Sequence, residues 1–144
     1  MTEFFSETKT VPYSGTDVYE VLSDLRNLEH LKGRIPEENL KNFFCDQDSC
    51  SVSVDPVGKV KFNIIDRQPV SAIKLQAEQV PFGLFLQINL DEASENETNL
   101  TVTVNADLNI FIKPMVSKPL QQAVDKMAEM MSAIPYGEIK TKNQ

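Results

Sequence analysis

Tryptophan is absent, histidine occurs once and cysteine only twice. A structural zinc site takes four nitrogen or sulfur ligands, so His30, Cys45 and Cys50 leave a Cys/His site one ligand short. The five glycines form no phosphate-cradling loop, and neither paired-carboxylate spacing nor a metal-ligand cluster occurs, so no cofactor is expected. No apolar run approaches the ~18 residues of a spanning helix. The opening MTEFFSETK puts acids where a secretory leader needs a basic and then an apolar segment. A soluble cytoplasmic protein without membrane insertion is expected, and the sequons at Asn96 and Asn99 then carry little meaning. Basic residues are also in deficit. Fourteen Lys and Arg against 21 Asp and Glu give a charge of −7 and a pI near 4.7, a field that repels phosphate backbones and anionic lipid surfaces. Nucleic acid is therefore excluded as a partner. In a reducing compartment Cys45 and Cys50 read as free thiols beside a hairpin, with a disulfide closing that hairpin as the alternative.

What the chain does have is a long amphipathic stretch, Asn109 to Tyr136. Val116, Leu120, Ala123, Met127, Met130 and Ile134 recur at steps of four and three, while Lys118, Gln122, Asp125, Lys126 and Glu129 take the other side. A helix of about 20 residues is roughly 30 Å long and is stable only with its apolar stripe laid against a partner. Pro119 falls inside it and removes one backbone hydrogen bond, bending the first turns, unless Ser117 caps a helix that starts near Pro119.

The partner should be a sheet. Thr2 to Val11 is extended by composition and Pro12 ends it. Ser14 or Thr16 caps a helix in which Val18, Val21, Leu22, Leu25, Leu28 and Leu31 recur at helical spacing until Gly33, and Pro36 opens a short second helix toward Leu40. From Asn42 to Leu108 the period is two. Short strands are expected over Phe43–Cys45 and, past a turn at Asp46–Asp48, over Cys50–Val54. Three more carry Val60/Phe62/Ile64, Ile73/Leu75/Ala77 and Leu84/Leu86/Ile88/Leu90. After a polar loop from Asp91 to Asn99 comes Leu100/Val102/Val104/Ala106. One apolar and one polar face per strand gives an antiparallel sheet wet on one side, and the long helix must cover the dry side. Residues 1–137 form a single domain on this reading, and 138–144 a flexible tail.

This order resembles the helix-grip fold of the START-like or SRPBCC superfamily, which includes polyketide cyclase/dehydrase-like, coenzyme-Q-binding-like and birch-pollen-allergen-like proteins. The carriers are Val11-Pro12-Tyr13-Ser14, the following Val18 to Leu28, and the closing proline-interrupted helix. One departure is Leu31-Lys32-Gly33, where many relatives have an aromatic residue. The resemblance implies an α+β helix-grip fold, a curved antiparallel sheet of about seven strands (β-α-α-β6-α) wrapped around the C-terminal helix. It also implies a cavity between the two that holds a lipid, isoprenoid, sterol or aromatic polyketide.

The residues expected to line that cavity are Leu22, Leu25, Phe62, Ile64, Leu75, Gln79, Leu86, Ile88, Val102, Val104, Leu120, Ala123, Met127 and Met130. Four methionines lie on the C-terminal helix, Met115, Met127, Met130 and Met131, and flexible thioethers suit a variable apolar guest as well as they fill gaps. Gln79, in phase with Ile73, Leu75 and Ala77, is the polar handle. Tyr13, Tyr19 and Tyr136 each offer a hydroxyl to a ligand or to a backbone carbonyl. Asp66-Arg67 reads as a surface pair and His30 as a solvated helix-end residue. The function expected is binding of a small hydrophobic ligand without catalysis. The alternatives are a polyketide cyclase or dehydratase and a protein-interaction module closed by Phe82, Phe85 and methionines.

Overall fold

The computed structural model describes residues 2–34, 43–54, 58–78, 80–137 and 139, with the side chains of 30–34 and 54 outside that set. Gln79, the 36–40 helix, the Asp55–Val57 turn and the last five residues thus lie outside the described residues, as does the His30 side chain.

The strands are β1 (Thr2–Phe5), β2 (Lys9–Val11), β3 (Phe44–Cys45), β4 (Ser49–Val54), β5 (Gly58–Gln68), β6 (Ala72–Glu78), β7 (Leu84–Ser94) and β8 (Glu97–Ala106). They form one antiparallel sheet in the order β1-β8-β7-β6-β5-β4-β3, with β2 also on β8. The expected N-terminal strand is therefore two. Ser6 holds them on a common partner: its N–H donates to Val102 O and its hydroxyl accepts from Val102 N, both at 2.9 Å.

Helix α1 (Gly15–Leu22) starts where expected, with the Ser14 hydroxyl accepting from Asp17 N. It stops sooner. At Ser23–Asp24 the chain leaves the α-helix, and Leu25–Arg34 continues as 3₁₀. The cause is local competition: Asp24 Oδ1 accepts from Arg26 N at 3.1 Å and buried Asn27 donates to Val21 O at 2.9 Å, diverting groups that a continuous helix would use. The 91–99 segment also differs from expectation, since β7 and β8 run through it to a turn at Glu95-Asn96, with a bulge between Glu92 and Ser94. Residues there are mostly exposed, so no burial contrast marks the strands.

Cys45 and Cys50 oppose each other in the β3–β4 register and are joined as a disulfide. This corrects the free-thiol reading: the three-residue turn expected at Asp46–Asp48 brings the two cysteines directly across a ladder, both side chains buried.

Helix α2 (Lys113–Ser132) begins before Ser117 and contains Pro119. The Ser117 hydroxyl donates to Lys113 O at 2.6 Å instead of capping. Its buried line is Val116, Leu120, Val124, Ala128 and Met131, with Ala123, Met127 and Met130 only half-buried beside it. The burial axis is thus turned toward Val124 relative to the expected stripe. Two adjacent apolar lines run along this helix, and periodicity alone does not choose between them. The chain stays on the core through Ile139, which is 2% exposed. Among the described residues, no helix is long and apolar enough to cross a membrane.

Candidate functional site

Register sets the inner face of the sheet. Phe62 faces Ala77, Ile64 faces Leu75, and Leu75, Ile73, Leu86 and Ile88 pair in turn with Leu86, Ile88, Val104 and Val102. All of these except Ile64 and Ala77 are buried. The described inward positions of β5 to β8 are apolar except near the α1 end, where Arg67 opposes Ile73 and Glu92 opposes Thr98. There Glu92 Oε1 accepts from Gly15 N at 3.2 Å and the buried Thr98 hydroxyl donates to Tyr13 O at 2.9 Å.

Helix α2 does not lie over the middle of this face. It packs on β8, β1 and β2, at one edge. Gln121 fixes which flank is which, because its Nε2 donates to Phe5 O on the edge strand at 2.8 Å. At 100° per residue the flank opposite Gln121 carries Ala123, Met127 and Met130, which therefore look across the inner face toward β6, β5 and β4. On those strands Val52, Ile64 and Ala77 occupy inward phases and are half-buried. Two apolar walls thus confront each other, each incompletely covered, while the β7–β8 region between them is sealed.

Of the residues expected to line a cavity, Ile64, Ala123, Met127 and Met130 belong to these half-covered walls. Phe62, Leu75, Leu86, Ile88, Val102, Val104 and Leu120 form the buried floor, and Leu22 and Leu25 are buried where α1 meets the 3₁₀ segment. Gln79 falls outside the described residues. Val52, Val80 and Phe82, all partly buried against the core, were not among the expected lining; alternation marks Val52 as inward, but Val80 and Phe82 lie in a loop where no period applies.

Tyr136, Arg67 and Asp66 are occupied structurally, while Tyr13 and Tyr19 are half-buried against the core. Tyr136 is buried, donates its hydroxyl to Met131 O at 2.6 Å and packs edge-on against Tyr13 at 5.6 Å; burial pushes its phenol far above the ordinary value. Arg67 does not pair with Asp66. It bonds Asp48 Oδ1 at 2.6 Å and Ser23 O at 3.0 Å, tying β5 to the end of α1, while Asp66 accepts from Gln68. Phe85 points to the outer face, where the Lys74 ammonium lies 5.2 Å from its ring centre, so it closes nothing inside. Among the described residues no group of three or more His, Cys, Asp or Glu side chains converges as a metal site.

No family model and no curated protein sequence matches this chain. Solved structures do. A START superfamily protein from Mycobacterium smegmatis matches at 13% identity over 97% of this chain and 98% of that one, with a TM-score of 0.67. Norcoclaurine synthase from Thalictrum flavum matches at 14% identity over 91% and 84%, with a TM-score of 0.70. A Thermus thermophilus protein matches at 15% identity over 99% and 100%, with a TM-score of 0.61. At such identities the likeness is one of fold, and the eight-stranded antiparallel sheet gripping a long terminal helix is the START-like helix-grip fold.

Proposed function

We propose that the protein binds a small hydrophobic molecule, such as a lipid, isoprenoid or aromatic polyketide-like compound, between the inner sheet face and α2. The observation that carries this reading is the pair of facing, half-covered apolar walls, Ala123, Met127 and Met130 on the helix and Val52, Ile64 and Ala77 on the sheet. A core that needed nothing more would bury both. Burying about 200 Å² of apolar ligand surface contributes roughly 5 kcal/mol before ordering costs, so micromolar affinity needs few polar contacts. The methionines let the wall fit guests of differing shape. The charged groups in inward phases, Glu92 and Arg67, are engaged with Gly15 N and with Ser23 O and Asp48, which favours holding over turnover.

Native mass spectrometry of protein taken directly from cells should show an added mass of lipid size. The apolar fluorophore 1-aminoanthracene should bind and be displaced by that lipid extract. Ala123→Trp, which fills the space between the walls, should abolish uptake while leaving the circular dichroism unchanged. A bare mass together with no uptake of the fluorophore sinks the reading.

A further inference from the structure

We propose that the tip formed by Ile110, Phe111 and Met115 docks the protein on the zwitterionic surface of a phospholipid bilayer. From there the line Met115, Pro119, Ala123, Met127 leads an apolar guest between membrane and sheet. The three tip residues are 79%, 80% and 66% exposed, the most exposed large apolar side chains of the described chain. Their exposure is enforced by structure. Asn109 Oδ1 accepts from Phe111 N and Ile112 N at 2.9 Å, Asp107 N donates to Gly83 O at 2.8 Å, and the alternate residues Leu108 and Ile112 pack on the core. A loop anchored at the Asp107, Phe111, Ile112 and Lys113 N–H groups thus holds its greasiest side chains in water.

The size and charge of the tip select the occupant. At roughly 150 Å² apiece, three such side chains fall short of the ~800 Å² per partner of a standard protein interface. They do suit shallow burial in the headgroup region. Lys113 and Lys118 flank them, both exposed, and long ammonium stems reach phosphate while their carbons follow the apolar groups inward. Asp107, Glu3 opposite Asn105 and Glu78 at the end of β6 are the acids at the tip's end of the sheet, but most carboxylates, among them Asp46, Asp48, Asp66, Glu92, Glu95 and Glu97, sit toward the opposite end. The −7 total disfavours an anionic surface, which leaves the zwitterionic one. Spanning is not involved; only side chains enter.

From the tip, steps of four along α2 place Met115, Pro119, Ala123 and Met127 in one line, from the exposed end to the half-buried wall. This route rests on the ligand reading above, whereas docking does not, and the two fail separately because docking is read on vesicles without any guest.

The chain lacks tryptophan, so Phe111→Trp supplies a sole reporter. With phosphatidylcholine vesicles its emission should shift to the blue, while Phe44→Trp, on the edge strand β3 and 64% exposed, should not respond. In flotation the parent chain should rise with the vesicles, and Phe111→Asp should cut the bound fraction about tenfold. Phe44→Asp should float as the parent does. An unshifted Phe111→Trp spectrum, flotation unaffected by Phe111→Asp, or a dimer that Phe111→Asp splits without any vesicle binding would each overturn the proposal.

Discussion

Gly15 shows how one missing carbon shapes this molecule. A Cβ there would lie 2.8 Å from Val70 Cγ1, and Val70 itself is held at a φ of 65°, a left-handed conformation that costs a β-branched residue about 1–2 kcal/mol. The first helix and the β5–β6 turn are thus packed to contact. Gly15→Ala should lower stability by about 1–2 kcal/mol in urea titrations. In a Val70→Gly background, where both the clash and the strain are gone, the same substitution should cost much less. Equal costs in the two backgrounds would show that the residues do not couple. Tyr136→Phe should cost about 1 kcal/mol, because it removes the shortest hydrogen bond to the Met131 carbonyl, which keeps only helix-end donors such as Ile134 N at 3.4 Å.

Two carboxylates give the fold an acid limit. The side-chain hydrogen bond from Arg26 holds Asp24 below the ordinary 3.8, against partial burial, and the Ser49 hydroxyl does the same for Asp46, aided by Asp48 N. A lowered folded value means that the stability they contribute is present above that ordinary value and is lost as pH falls through the folded one. Asp24→Asn should therefore cost under about 1 kcal/mol at neutral pH, since the pair is largely solvated. The difference from the parent chain should vanish in strong acid. A gap that persists unchanged at low pH would remove the carboxylate as its source.

At the scale of elements, Pro119 takes the clearest test. It denies Met115 O its partner in the helix ladder, and Pro119→Ala should raise Tm by several degrees if packing permits a straight helix. A fall in Tm would mean that the helix is bent to fit its seat. Replacing Cys45 and Cys50 together by alanine should cost about 2 kcal/mol, the value for so short a closed loop.

Much of this was readable from residues. Alternation at Val60/Phe62/Ile64 or Leu84 to Leu90 fixes which side chains face inward, and Ser14 marks a helix start through its capping hydroxyl. Other features resisted for physical reasons. The α1 break depends on Asp24 and Asn27 finding backbone partners, a choice that spacing does not encode. The buried line of α2 depends on where the helix lands on the sheet, and with it the half-covered walls. No local pattern says that it lands on β8 and the first strands, or that Ile110 and Phe111 would be held outward by Asn109.

For the whole molecule, a charge of −7 makes the compact state self-repelling. Raising salt from a few millimolar to physiological strength, where the screening length falls to about 8 Å, should increase Tm. A decrease would assign the dominant electrostatic contribution to pairs such as Arg67–Asp48 instead.

The seating of β1 and β2 between β8 and α2 has a temporal side. Phe4 is translated about a hundred residues before the strand it pairs with, and the helix that covers it comes later still. During synthesis these first strands have nowhere to go. The nascent chain must carry them, together with a bare greasy sheet, until β8 and then α2 have left the ribosome, which makes that interval the time at which this fold most needs a chaperone.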